Sequence, residues 1–372
     1  MKDGLRKKDS LLIYGIAILM MIYHHLFSNP ARLGDYEYIS ILNILSGNNA
    51  EQRLAWLFRL CVPFYAFISG YGLCTIISRK KAEERCKIGF VRENYKLVFL
   101  QILKLMKKYW IVFAVFVPMR IILKKGTLIN LKTFLMALLG LDSSYNAEWW
   151  YVKQYIMMVC LFPVFDFFVC NIYCWIKKKI IERFIYGRQM MMIGLGILGV
   201  LCVYFRNTEI FRYFISQLDN GRFVFTLVFF VGFLCSFFHI FEIGYKNEYF
   251  QKFRPMIAIL LIAGCIGIRW IRAYDAVYCK YDAFITAPII YSICTLFSYF
   301  KSLSSLFQKI GKYSTYMWLT HTFFCFYYFN HFILMAKVSI LMFFLLVIIS
   351  LLTAILFTNV ERRLNKVFHL TN

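Results

Sequence analysis

Apolar positions along this chain come in long unbroken runs rather than in alternation. Runs of about 17 to 25 residues suffice to cross a roughly 30 Å hydrocarbon core as helices. Such runs recur from residue 11 to residue 360. They predict spans at 11–28, 54–77, 109–123, 149–171, 190–205, 223–241, 255–271, 283–300, 313–334 and 338–360. The fold class is therefore all-α, a polytopic transmembrane helical bundle of about ten spans, in a single transmembrane domain over residues 1–372. A membrane β-barrel would need alternating segments of about ten residues, which continuous runs exclude. The third and fifth runs are short, as tilted or broken spans would be.

The segments between the runs predict further elements. "MKDGLRKKDS" precedes the first run as a signal peptide's charged region would. The run then leads into His24, His25, Leu26 and Phe27 with no small-residue cleavage site, so it reads as an uncleaved first span. "ENYKLVFLQILKLMKKYW" predicts a helix rising into the third span, and "LGDYEYISILNILSG" a short interfacial helix. "LINLKTFLMALLG" is apolar enough to lie on the bilayer or dip into it. No Pro- or Gly-rich linker divides the chain, and no repeat is visible.

Composition agrees, with 61% hydrophobic, 20% aromatic and only 17% charged residues, where soluble domains carry about 25% charged. The net charge of +24 raises the question of nucleic acid, and its distribution excludes one. Of the 43 Lys and Arg, 28 fall on alternate segments starting with the N-terminus and 11 on the intervening loops. That asymmetry is the positive-inside pattern, which places both termini in the cytoplasm. The basic segments then serve topology and contact with anionic membrane lipids. The twelve cysteines lie mostly singly inside apolar runs, as soft packing residues do. Cys279 alone falls in an outer loop, and no CxxC occurs, so neither a disulfide framework nor a metal site is expected.

Few polar side chains interrupt the runs, and those few are the candidates for chemistry. His25, in "AILMMIYHHLFSNP", lies 14 residues beyond Leu11. At about 1.5 Å per residue that is about 21 Å, past the midplane from an inner start. Successive helical residues point about 100° apart, so His24 and His25 cannot face one cavity. An intramembrane imidazole marks a functional candidate, and an interfacial ring satisfied by water is the plainer account. Residue type leaves both open. His321, in "IGKYSTYMWLTHTFF", lies in the inner half of the ninth span, with Ser314 seven residues earlier on nearly the same face. Chemistry and an interhelical hydrogen bond are its two accounts. Arg59 interrupts the second run, where a central charge costs about 2.5–3.5 kcal/mol, so it must snorkel, pair or line water. Lys104 and Lys107 stand i, i+3 on one face, with Lys108 beside them. They suit the phosphates of a cytosolic donor, or a snorkelling role. In "YNAEWWYVKQYIMMVCLFPVF", Trp149 and Trp150 fit an aromatic belt. Glu148 beside them is a substrate contact or a solvated carboxylate, and Asp166 is expected to pair with a basic residue.

The order of these motifs carries a resemblance. "GIAILMMIYHHLF", "VPFYAFISGYGL", a basic stretch into "KKYW", "NAEWWYV" with "YIMMVCLFP", and late "IGKYSTYMWLTH" resemble the acyltransferase 3 family from about residue 11 to 335. That family's members are multi-pass proteins of the bacterial inner membrane. They move acyl groups, usually acetyl, from cytosolic acyl-CoA to sugars of surface polysaccharides, lipopolysaccharide or peptidoglycan. The resemblance implies a catalytic role for His25, which follows Ala17 by the family's eight residues, and a matching role for His321, with Ser314 as the preceding serine. It implies Lys104, Lys107 and Lys108 as donor-binding residues, and Arg59, Glu148, Trp149 and Ser314 on the substrate side. Acyl-CoA is then a co-substrate with no tightly bound cofactor, the acceptor a lipid-linked or extracytoplasmic glycan, and a homo-oligomer is compatible with the pattern. Two positions depart from it. Tyr14 stands where members commonly carry Arg or Lys, and their RxxR motif is matched by Lys104-x-x-Lys107, which keeps charge but loses the bidentate fork.

Acyl transfer to a hydroxyl needs a base or a nucleophile, and neutral imidazole serves as either. The competing reading is a polysaccharide polymerase or a lipid-linked oligosaccharide flippase. Such proteins place chemistry on large outer loops with arginines, and here Arg206, Arg212 and Arg222 are the notable group. A sensor or transporter would need paired charges midway through several spans, and few are found.

Overall fold

The computed structural model describes residues 4–34, 36–47, 49–78, 80–124, 130–178, 194, 223–243, 248–271 and 281–367. These are helical throughout apart from turns and one parallel bridge between Ile39 and Val338. Five segments among them are long and apolar enough to cross a membrane: Lys7–Phe27, Ala50–Ile77, Ala147–Ile176, Gln251–Ile271 and Ser339–Val367. Phe223–Phe237 and Asp282–Phe297 are apolar but shorter. The span expected at 190–205 lies outside the described residues apart from Gly194, and Arg206, Arg212, Arg222 and Cys279 lie outside them entirely.

Helix α1, Lys7–Phe27, starts at a cap in which the Asp9 carboxylate accepts the Arg6 backbone N–H at 2.9 Å and the Arg6 guanidinium Nε–H at 3.1 Å. It buries residues on most of its circumference, from Leu12 and Ile13 to Leu26 and Phe27, because it is the central post of the bundle. Around it pack α3 (Ala50–Leu57), α4 (Cys61–Ile77), Asp282–Phe297, Lys301–Gly311, Ser314–Thr322 and Ser339–Val367. The predicted interfacial segment contains α2, Ile41–Ser46. Between α3 and α4 the chain tightens into a 3-10 turn at Phe58–Leu60. Pro63 follows, and a proline ring both lacks a donor and clashes with the carbonyl four residues earlier, here that of Arg59.

After α5, Ala82–Arg85, the basic segment continues through the run expected at 109–123 as one 35-residue helix, α6, Ile88–Ile122, which is not among the five segments long and apolar enough to cross a membrane. Helix α7, Leu131–Leu138, forms within the apolar loop segment "LINLKTFLMALLG", and α8, Trp150–Ile176, covers the run expected at 149–171. Next come α9 (Phe223–Phe237), α10 (Glu248–Ile271), α11 (Asp282–Phe297) and α12 (Lys301–Gly311). Two glycine pairs set the closest approaches. A Cβ on Gly70 would collide with the Phe229 backbone and one on Gly232 with that of Phe67, locking α4 to α9. Gly15 against Phe307 and Gly311 against Leu11 do the same for α1 and α12.

The ninth span departs from expectation. Instead of one helix over 313–334 it is α13 (Ser314–Thr322), a π-helical stretch at Phe323–Tyr327 and α14 (Asn330–Leu334), before α15 (Ser339–Val367). The extra residue per turn gives the crowded aromatics separate partners. Phe323 stacks on Phe116 at 4.2 Å, and Phe326 lies under the Arg32 guanidinium at 3.7 Å. Such π-turns recur at functional sites, and this one begins directly after His321 and Thr322.

Asp166 does pair as expected. Arg85 and Asp166 form an ion pair with side chains only 4% and 1% exposed, and Asn94 donates to the same carboxylate at 3.2 Å. A second buried pair, Arg269 with Asp282 at 3.0 Å, ties α10 to α11.

Candidate active site

Helices α1 and α13 cross so that two histidines 296 positions apart meet. His25 Nδ1 lies 2.7 Å from His321 Nε2, the ring centroids are 4.9 Å apart, and the planes differ by 7°. The centroid separation matches the nitrogen–nitrogen distance plus two ring radii, so the rings lie edge to edge in one plane, with the hydrogen bond directed along it.

The backbone assigns the protons. His321 Nδ1 is 3.0 Å from the Met317 carbonyl and 2.9 Å from that of Trp318. Carbonyl oxygens only accept, so Nδ1 carries the hydrogen and Nε2 of the neutral ring holds a lone pair. His25 Nδ1–H must then donate to it, which leaves the lone pair of His25 on Nε2. His321 is wholly buried, whereas His25 is half-buried. The arrangement is an oriented base, one imidazole fixing the tautomer and aim of another. His24 turns away, as one residue of helical rotation requires, and donates from Nδ1 to the Ala55 carbonyl at 2.7 Å.

One helical turn before the pair, on α1 and α13, begins a cavity of about 210 Å³ lined by residues of α1, α4, α6, α8 and α13, with neither histidine itself among the lining residues. Met21, one turn before His25, and Trp318, one turn before His321, are among its lining residues. Tyr14, Tyr65, Tyr151 and Tyr155 form much of its wall, with Ser314 on α13 and Gln101, Lys104 and Lys108 on α6.

Thr322, next to His321 in the chain, belongs to a polar cluster. Asn146 donates to Thr322 Oγ1 at 2.7 Å and accepts from the Glu148 backbone N–H. Glu148 pairs with Arg32 at 2.7 Å and accepts from the Tyr327 hydroxyl at 3.2 Å. Its charge acts on His321. The family model described as an acyltransferase domain matches residues 12–359, nearly the whole chain.

The chain belongs to this acyltransferase family. No curated protein and no solved structure matches it.

The acyltransferase brings some of the sequence candidates together and separates others. His25 and His321 form the pair, and Ser314 and two of the three lysines reach the cavity. Those two are Lys104 and Lys108, an i, i+4 pair, whereas Lys107 is not among the lining residues. Glu148 is buried and ion-paired rather than solvated. Trp149 is not displayed in a belt but 2% exposed, its indole N–H donating to the Leu319 carbonyl at 3.0 Å. It braces α13 from behind, edge-on to Phe323. Arg59 lies over the Trp56 ring and acts on His24 rather than on the pair.

Sequence reasoning missed Arg32, Asn146, Thr322 and Tyr327, together with the tyrosine wall. A partial signal was there. Tyr14, Met21 and His25 follow one another by seven and four residues, and Tyr151 and Tyr155 by four, which are same-face spacings. Tyr14, at the position where relatives were expected to carry a cation, instead stacks on Tyr65 at 5.2 Å.

Proposed function

We propose that this acyltransferase moves an acyl group, acetyl in the simplest case, from cytosolic acyl-CoA to a sugar hydroxyl of a cell-surface or lipid-linked polysaccharide. The observation that carries the reading is the His25–His321 pair, which leaves a lone pair on His25 Nε2, one helical turn beyond a lysine-bearing cavity. With the N-terminus in the cytoplasm, as the distribution of Lys and Arg favours, the donor enters the cavity with its phosphates toward Lys104 and Lys108. At about 210 Å³ the cavity is below the roughly 300–1,000 Å³ of pockets that hold a whole drug-sized ligand, so it takes only the slender acyl-bearing arm. The acceptor approaches from the side of Arg32, Glu148 and Asn146, whose charges and amide suit a polyhydroxylated ring.

His25 Nε2 removes the acceptor hydroxyl proton as the oxygen attacks the thioester carbonyl. The C–O bond forms, the tetrahedral intermediate collapses, the C–S bond breaks, and the thiolate recovers the proton from His25. His321 holds the imidazole in the productive tautomer and shares the developing positive charge. Lysine provides point charge rather than a bidentate fork at the phosphates, which suits a donor that must leave after each turnover.

The test is labelled acetyl-CoA supplied to membranes bearing the protein or its His25→Ala variant at matched levels. The expected result is label in glycan with the native chain and none with the variant. Acyl content unchanged in the variant would remove His25 from the reaction. Altered glycan chain length without any change in acylation would favour a polymerase instead.

A further inference from the structure

Four phenols wall the cavity, and two of them, Tyr65 and Tyr151, have buried hydroxyls with no hydrogen-bond partner. Tyr151 is the more informative because its ring packs on the histidine-bearing helix. Tyr151 is 8% exposed and packs edge-on against Trp318, ring centroids 5.7 Å apart. It lies close enough to Tyr14, Tyr65 and Tyr155 to interact with all three. Its hydroxyl is nonetheless buried with no hydrogen-bond partner. A buried hydroxyl without a partner lowers stability, so its retention calls for an explanation, and a ligand atom that completes it is one. Tyr109 shows the ordinary arrangement, its hydroxyl donating to the Ala137 carbonyl at 2.7 Å.

We propose that the Tyr151 hydroxyl donates a hydrogen bond to a carbonyl oxygen of the acyl donor, and that the phenol-lined end of the cavity recognises the donor's uncharged, carbonyl-bearing arm. This rests on the reading of the cavity as the donor site. A phenol offers a donor to an oxygen that can only accept, and thioester and amide carbonyls are such oxygens. A hydrocarbon tail would leave the Tyr151 hydroxyl unpaired. Phosphate is matched by the ammonium groups of Lys104 and Lys108 on α6, so charge and carbonyl are read by different walls. The ring of Tyr151 packs on Trp318, one turn before His321, so this wall of the cavity is the one continuous with the histidine-bearing helix.

The experiment uses the full chain in detergent, with acetyl-CoA and phosphate-free acetyl-pantetheine as probes. Tyr151→Phe keeps the ring against Trp318 and deletes only the hydroxyl. Expected are about 3- to 10-fold weaker binding of both probes by calorimetry and a Tm without ligand that is equal or higher. Tyr109→Phe, which removes a satisfied hydroxyl, lowers Tm and leaves both affinities unchanged. Lys104→Ala weakens acetyl-CoA alone. Unchanged affinity in Tyr151→Phe, or a Tm that falls as it does for Tyr109→Phe, overturns the proposal. A native chain that binds neither probe overturns the donor-site reading along with it.

Discussion

Replacing His321 by Ala separates an orienting imidazole from a bystander. The substitution leaves His25 in place and removes the acceptor held 2.7 Å from its Nδ1. The direct loss is one neutral hydrogen bond, about 0.5–1.5 kcal/mol, or about 2- to 12-fold in rate if it is made fully in the transition state. The indirect loss is larger. An unlocked His25 can place its proton on Nε2 and turn its ring, and misplacement by about 1 Å costs as much as about 100-fold. Together these predict a decrease of about 10- to 100-fold, compared with about 10²–10⁴-fold for removing the base itself in His25→Ala. His321→Gln can present an amide oxygen near the lost Nε2, so it should retain more activity than His321→Ala. The assay is the initial rate of label transfer from acyl donor in membranes with matched protein levels. The double variant is decisive, because residues acting as one unit are not additive: it should be no slower than His25→Ala. Losses that multiply in the double variant, or native rates in His321→Ala, would refute the oriented-pair mechanism.

Further outcomes follow from the packing and from the cavity. Gly232→Ala forces a methyl into the Phe67 backbone and should lower stability by about 1–3 kcal/mol or more. Gly72→Ala has open space around it and should raise stability by about 0.5–1 kcal/mol through helix propensity; thermal melts in detergent give both signs. Lys104→Ala and Lys108→Ala should each raise KM for acyl-CoA several-fold, whereas Lys107→Ala should not, because only the first two line the cavity. Asp166→Ala strands Arg85 in a buried site and should cost about 3–5 kcal/mol, and removing both charges in Arg85→Met with Asp166→Leu should recover much of the loss, as read by Tm.

Much of the architecture was legible in the residue pattern, for physical reasons that act locally. Hydrocarbon thickness sets the length of an apolar run, so helices such as Lys7–Phe27 and Ser339–Val367 could be bounded closely. Asp166 could be expected to have a basic partner because an isolated charge there is too costly. The divergence of His24 and His25 follows from helical rotation alone. The span broken at Phe323–Tyr327 was not legible, since no proline or glycine marks it. Its cause is the set of partners that each aromatic ring finds on other helices.

The primary structure by itself determined that this chain is a helical membrane protein, which residues interrupt its apolar runs, and how far along each helix they stand. Those properties depend on neighbours within a few turns. The tertiary structure decided which of those residues meet. Helical spacing allowed Lys107 or Lys108 to share a face with Lys104, and only the rotation of α6 against α1, α8 and α13 selected Lys108. Likewise, nothing near either histidine in sequence specifies the other. Their alignment depends on how α1 docks against α13, and the protons are assigned by two carbonyls of α13 itself. Docking is fixed by shape complementarity summed over many distant contacts, so it is absent from any local pattern.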